Sequence, residues 1–272
     1  MAGAHNKTEN VAAALKVFGV LEALVEAKKA SLGDIAQRAM TSKATAHRIL
    51  HTMTELGYVA QDPDTERYYV TLSLFSLAAR SLSGQSDLLR VADQAMGKLS
   101  RATGESINLG VMDRREQLVT YVHKYDSIHN LSMTSTLGLR NPLHSTSLGK
   151  ALLAWRDEAE IRDRLSHSKM EKIAPNTITD RNALFDQLMQ IRRRGYAEEI
   201  EESEAGVRCM AAPILDHLGK SVAAISISFP LFRFDEGRKA EYVALLLASG
   251  AEASTALGFV EEYPAQSLPV TG

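Results

Sequence analysis

SLGDIAQRAMTSKATAHRILHTMTELGYVAQDPDTERYY, residues 31–69, decides the fold of the N-terminal third. Leu32, Ile35, Ala36 and Ala39 recur at helical spacing, and Ser31 stands where a helix cap is needed, with Asp34 three residues on. A three-residue break follows. Ser42 then caps a second helix running to Leu56, with Ala46, Ile49, Leu50, Met53 and Leu56 on its apolar stripe. Gly57 ends that helix, and Gly57-Tyr58-Val59, the turn Asp62-Pro63-Asp64 and Arg67-Tyr68-Tyr69-Val70 complete a two-stranded ribbon. Helix, tight turn, helix, ribbon is the layout of a winged helix-turn-helix, which presents its second helix to a DNA major groove. Lys43, Thr45, His47, Arg48 and Thr52 fall off the apolar stripe and form a donor-rich face suited to base edges and phosphates, while Arg67 stands at the ribbon tip.

Small three-helix modules that never touch DNA share this pattern, and the charge count is a warning. Residues 1–72 hold as many acidic as basic side chains, eight of each, so DNA binding must rest on the local cluster Arg38, Lys43, Arg48 and Arg67 and on pairing of two copies. Upstream, a helix is expected over 9–27, apolar around more than half its girth (Val11, Leu15, Phe18, Leu21 and Val25, widened by Val17, Val20 and Leu24). Such a helix is buried from two sides, either by its own core or partly by a partner subunit.

At 272 residues the chain is long enough for two cores, and its net charge of −2 implies no polyanion or membrane partner for the whole molecule. One cysteine excludes an internal disulfide and fits a reducing, cytoplasmic setting; no signal peptide or membrane span is expected. The expected division is a winged helix-turn-helix over 8–71, a helical linker over 72–86 broken at Ser83-Gly84-Gln85-Ser86, and a sensor-like domain over 87–262. The last reads as α+β: strands at 105–112 and 117–124 joined by the turn Asp113-Arg114-Arg115, a short strand at Leu131-Ser132-Met133, a break at Asn141-Pro142, and strands at 196–200, 207–215 and 222–229. Helices are expected at 147–155, 157–165, 181–194 and 235–257.

On the strand 223–229, Ile225, Ile227 and Phe229 share one face while Ala224, Ser226 and Ser228 share the other. Small side chains with two hydroxyls leave room and donors for a ligand, although a strand covered closely by a helix also uses Ser. Val207, Cys209 and Ala211 share a face of the preceding strand. Cys209 with His123, His129 or His144 is a candidate nucleophile, but a lone cysteine is more often a buried small hydrophobe. His144 to Lys150 opens a helix whose free N–H groups favour an anion; capping by Ser145 or Ser147 is the plain alternative. The acidic run from Glu198 to Glu204 reads as solvated surface, with one inward carboxylate available to sugar hydroxyls. No metal-ligand spacing, GxSxG or dinucleotide fingerprint is present, so neither a metal nor a cofactor is expected.

Several separated segments carry a family resemblance. They are Lys43 to Leu50 with Leu56-Gly57-Tyr58-Val59, His144 to Ala154, Glu204 to Pro213, and Ala224 to Pro230. Together they resemble the IclR family of bacterial transcription regulators. Leu15 to Gly19, Tyr121 to Lys124 and Leu152 to Asp157 are most similar to the branch that represses pectin and 2-keto-3-deoxygluconate breakdown. The resemblance implies a GAF-like, antiparallel-sheet effector domain, assembly into dimers or tetramers on palindromic operator DNA, and a recognition helix over Ser42 to Thr54. It implies an effector pocket at Met133, Asn141, Ser147, Leu148, Glu199, Val207, Cys209, Ser226 and Ser228, with Asn130 at the rim. Some relatives have Gly-Ala where this chain has Ser147-Leu148 and Asp where it has Glu199. The reading is a repressor responding to a small 2-keto acid. The alternatives are the same architecture sensing an aromatic or glyoxylate-type acid, or an enzyme domain fused to a DNA-binding module.

Overall fold

Two serines set the helix boundaries of the first unit in the computed structural model. Ser31 is extended and its hydroxyl accepts the Asp34 N–H, starting α2 (Leu32–Arg38); Ser42 accepts the Thr45 N–H and starts α3 (Lys43–Glu55). Before them lies α1 (Gly3–Ala27) and after them the antiparallel wing strands β1 (Val59–Gln61) and β2 (Tyr68–Val70), then α4 (Leu72–Leu82). The structure describes residues 3–82, 86–113, 117–133, 135–261 and 263, of which 3–11, 78–82 and 86 by their backbone alone. The chain divides into two units, residues 1–85 and 86–272; α4, set aside above as part of a linker, falls in the first.

The core of the first unit is Val20, Ala23 and Leu24 of α1, Ile35 and Ala36 of α2, Ala46, Leu50 and Met53 of α3, with Val59 and Tyr68 from the wing. Two expectations change. Leu56 is exposed, because α3 has ended before it. Helix α1 is buried on one side only: Leu15 is 69% exposed and Phe18 62%, and Val17 and Val25 are also open to solvent. On α4, Leu72, Phe75 and Leu77 are exposed as well.

The second unit is one six-stranded antiparallel sheet in the order β5-β4-β3-β8-β7-β6. Its strands are β3 (Ser106–Met112), β4 (Leu118–Tyr125), β5 (Arg140–Pro142), β6 (Ala197–Ile200), β7 (Val207–Leu215) and β8 (Ser221–Pro230). Helices α5 (Ser86–Thr103) and α9 (Lys239–Ala256) pack on one face, where Phe229 meets Tyr242 with ring centroids 4.9 Å apart. Helix α6 (Ser147–Ala154) crosses the other face; α7 (Glu158–His167) and α8 (Arg181–Arg194) follow it, α8 closed by Gly195 at φ 86°. Two 3-10 turns, Leu231–Arg233 and Glu236–Arg238, precede α9, so the closing helix starts later than expected.

Leu131-Ser132-Met133 is not a strand. The Leu131 carbonyl accepts from Arg233 Nη1 at 2.6 Å and the Met133 carbonyl from Ser106 Oγ at 2.8 Å, so side chains take the acceptors a ladder would have used. The edge strand is β5 instead, and Pro142 sits in it where a missing N–H leaves no gap in the ladder. The turn residues Arg114 and Arg115 and the break at 83–85 lie outside the described residues.

Candidate functional site

The polar side of α3 is open to solvent. Lys43, His47, Arg48 and Thr52 are exposed, as is Arg67, one residue before β2. The side chains of Lys43, His47, Arg48 and Arg67 make no hydrogen bond to another described residue, so their donors are available. The three hydroxyls are partly committed: Ser42 and Thr45 bond each other at 2.9 Å while Ser42 caps the helix, and Thr52 Oγ1 donates to the Arg48 carbonyl. One neighbour escaped the sequence reading. His51 lies one turn after His47, ring centroids 6.4 Å apart, and was discoverable from its i, i+4 spacing. The wing is held by Asp62, whose Oδ1 accepts the Thr65 N–H at 2.9 Å and whose Oδ2 pairs with Lys29 at 2.5 Å.

The second unit holds a cavity of about 80 Å³ beside the small-residue face of the sheet. Asn108 of β3, Ser228 of β8 and Val207 and Cys209 of β7 form its floor; Tyr121 of β4 and Asn141 of β5 stand at one side. Met133, Ser135 and Leu139 come from the segment before β5, and Ser203 and Glu204 from the turn between β6 and β7. Cross-strand register explains the floor: Cys209 pairs with Ser228, so their side chains share one face, and Cys209 Sγ and Asn108 Nδ2 both donate to Ser228 Oγ at 3.3 Å. Ser135 Oγ donates to Asn108 Oδ1, tying the overlying segment to that floor.

The structure therefore brings together Met133, Asn141, Val207, Cys209 and Ser228 of the ten residues expected around a ligand. The other five are not in its lining. Ser226 is buried on the same face, in register with the lining residue Asn108, and two residues before it Ala224 is in register with Gly110, which lies against Leu148 of α6. Ser147 and Leu148 are buried within α6 itself. Thr146, not Ser145 or Ser147, caps that helix through the Gly149 N–H at 3.1 Å. The Glu199 carboxylate accepts the Glu202 N–H at 3.0 Å and the Ser203 hydroxyl at 2.8 Å, building the turn that carries Ser203 and Glu204, and it also lies beside Cys209, its cross-strand partner, behind the lining. Asn130 is exposed and outside the lining.

Asn108, Tyr121, Ser135, Leu139, Ser203 and Glu204 were not anticipated. An asparagine between Ile107 and Leu109 in mid-strand was a legible signal, since a buried amide needs partners. Ser203 and Glu204 were hidden in a run that reads as solvated surface.

Among the described residues the cavity lining holds no basic side chain, and Glu204 is the one carboxylate in it. Burial pushes the Cys209 thiol well up, helped by the Glu199 charge, and pushes Tyr121 up to about 12. Both stay protonated at neutral pH and act as donors. A nucleophilic thiol needs the opposite shift. The histidines are engaged elsewhere: His123 with Asp93 at 2.8 Å, His144 with the Glu171 carbonyl at 3.0 Å, and His129 lies 3.8 Å from Glu105. Behind the turn, Lys150 of α6 and Glu202 form a buried ion pair at 2.5 Å.

Comparison with known proteins agrees with both halves of this geometry. Residues 13–63 match the IclR helix-turn-helix domain, and residues 80–255 match the C-terminal domain of bacterial transcriptional regulators of the IclR type. The chain is 46% identical to the HTH-type transcriptional regulator KdgR of Escherichia coli over 94% of this chain and 96% of that protein. It is 44% identical to the KdgR of Dickeya chrysanthemi over 97% of this chain and 85% of that protein. A crystal structure of an IclR homologue from Microbacterium hydrocarbonoxydans complexed with 4-hydroxybenzoate superposes with a TM-score of 0.80 at 26% identity, covering 90% of this chain and 98% of that one.

Proposed function

The chain belongs to the IclR family of bacterial transcriptional regulators, and from that premise we propose that it is a cytoplasmic repressor of sugar-acid catabolic genes, released from a palindromic operator by a small 2-keto acid, 2-keto-3-deoxygluconate or a close sugar acid. It is a DNA-binding regulator and not an enzyme, as its relatives are. The observation that carries the ligand class is the lining of the cavity: Asn108, Asn141, Ser135, Ser203 and Ser228 surround it with neutral hydrogen-bonding groups, with Tyr121 and Met133 beside them. A hydroxylated chain satisfies such a set.

Self-association follows from α1 and α4. Leu15, Phe18 and Val25, with Leu72 and Phe75, are apolar and solvent-exposed in one copy, and a second copy of this chain is the occupant that a palindromic site demands. With a neutral balance of charge in residues 1–72, one module alone grips DNA weakly, and two modules on two half-sites make up the deficit.

Regulation requires that the ligand prefer the conformation with poor DNA affinity; a coupling of about 1–3 kcal/mol weakens operator binding roughly 5–150-fold. Fluorescence anisotropy on a labelled operator, with and without the keto acid, tests this directly. Arg48→Ala removes an exposed guanidinium from α3 and is expected to weaken operator binding by about 1–3 kcal/mol while sparing ligand binding. Ser228→Val removes the hydroxyl that both Asn108 and Cys209 bond, and is expected to abolish the ligand response while sparing operator affinity. A wild-type protein that ignores keto acids but is released by an aromatic acid rejects the ligand class. A Ser228→Val variant with a normal response moves the ligand out of this cavity.

A further inference from the structure

The solvent face of α3 has a small apolar group at its leading end. Ala46, Ile49, Leu50 and Met53 turn into the core of the first unit. At about 100° per residue, the line opposite their mean direction carries Ala44 in the first turn and Glu55 in the last, with Arg48 and His51 to either side; all of these are exposed. Lys43 does not cover Ala44. Its side chain runs back beside α2, where Cε lies 3.6 Å from the position a Cβ on Gly33 would take. Thr45 is tied to Ser42 at 2.9 Å. The first turn therefore presents a methyl group, with Arg48 and His47 one turn behind it. A recognition helix meets base edges through its N-terminal residues. A polar base edge pressed against that methyl loses its water without gaining a partner. The apolar group that a major-groove edge offers is the thymine C5-methyl.

We propose that Ala44 is a specificity residue of the DNA interface and reads the C5-methyl group of a thymine in each half-site. Arg48 follows it by one turn, about 6 Å along the axis, which spans about two base-pair steps. The guanidinium is then placed to take a guanine about two base pairs from that thymine. Glu55 lies on the same line, about 16 Å beyond Ala44 and 3.7 Å from His51 Nδ1. Phosphates repel its carboxylate, which favours an approach with the first turn of α3 in the groove and the last turn raised out of it. The inference rests on the reading of α3 as the recognition helix of a palindromic operator. A methyl buried against a methyl is set at about fourfold in affinity per half-site, the equivalent of one buried CH2, and about sixteenfold for two independent half-sites.

The test uses the full-length protein and the duplex that it enriches most strongly from a library of randomised inverted repeats. Each thymine of the half-site is replaced in turn by deoxyuridine, in both half-sites together, which deletes the methyl group and leaves the hydrogen-bonding edge as it was. In anisotropy titrations wild type is expected to lose about sixteenfold in affinity at one thymine position. At that position Ala44→Gly should bind the thymine and deoxyuridine duplexes within about twofold of each other. The comparison is made inside one variant, so a general weakening of α3 by glycine cancels. Arg48→Ala should weaken binding to every duplex of the set and keep the thymine preference. A wild type indifferent to every methyl group overturns the proposal without recourse to any variant. A preference that survives undiminished in Ala44→Gly also overturns it, because another side chain then reads the methyl; in both cases the recognition-helix reading stands if Arg48→Ala has weakened binding. Arg48→Ala that binds the enriched duplex like wild type removes α3 from the interface, and the inference falls with that premise.

Discussion

Lys150→Ala is expected to destabilise the C-terminal unit by about 3–5 kcal/mol at neutral pH, read as a shift in the urea midpoint. Lys150 is fully buried and Glu202 is 6% exposed. Burial draws the lysine's pKa down and the glutamate's up, and their mutual attraction opposes both shifts. Deleting the ammonium strands the Glu202 carboxylate in the same dry site, with Glu199 as a second negative neighbour. The substitution is therefore costly because of what it leaves behind, not because the pair is a strong source of stability. Lys150→Met alone should fare no better, whereas Lys150→Met combined with Glu202→Leu should recover most of the loss, since an ion pair replaced whole by apolar groups is often neutral. The pH dependence has a definite sign. In Lys150→Ala the folded-state pKa of Glu202 lies above its unfolded value, so the penalty is full at neutral pH. It fades as pH falls into the carboxylate range and Glu202 takes up a proton. A loss under about 1 kcal/mol, or one that grows on acidification, rejects this account. The pair also joins α6 to the turn that carries Ser203 and Glu204, so the variant is expected to blunt ligand affinity along with stability.

What could be read from the residues depended on how local the determining chemistry was. Helix α8 was expected at 181–194 and is found there, because Asp180 caps it and Gly195 adopts the left-handed conformation that ends it, both within one turn of the helix. The alternation along β8 correctly separated Ile225, Ile227 and Phe229 from Ser226 and Ser228. It could not say what covers each position: Leu148 of α6 lies against Gly110, the cross-strand partner of Ala224, and the cavity opens at Ser228. The Leu131–Met133 segment was misread for a similar reason. Its carbonyls are taken by Arg233 and Ser106, distant in sequence, and no local pattern announces such partners. Helix α1 shows the converse. Its broad apolar girth was legible, yet one copy of the chain buries only the Val20, Ala23 and Leu24 side. The exposed remainder is the surface assigned above, as a proposal, to a second copy, and a single chain's periodicity does not separate such a surface from core.

Gly149→Ala is expected to cost about 3 kcal/mol or more, the upper part of the range for an overpacked core, and to disturb the cavity proposed for the ligand from a position outside its lining. A methyl group there would lie 2.3 Å from the Leu143 carbonyl oxygen and 2.4 Å from its Cα, both backbone atoms. At Gly97 of α5 the corresponding contact is the end of the Tyr125 side chain at 3.2 Å, which can swing aside. At Gly149 nothing flexible stands in the way. Leu143 is buried and its N–H donates to the Gln117 carbonyl at 3.0 Å, pinning it beside the start of β4. Helix α6 is equally constrained, because Leu148 lies against Gly110, whose own missing Cβ leaves the room for it. Relief must come from moving α6 or the chain just before it, which is β5. Asn141 lies in β5 and reaches Tyr121 Oη at 3.4 Å, while Leu139 precedes the strand and Ser147 opens the helix. A shift of a few tenths of an ångström in this unit therefore changes the donor geometry at the cavity even in molecules that remain folded. Urea denaturation and keto-acid titration of the same variant measure the two consequences separately. A variant that unfolds like wild type would mean that the Leu143–Gly149 contact relaxes freely, and the close packing of α6 against β5 could then no longer be what positions Asn141.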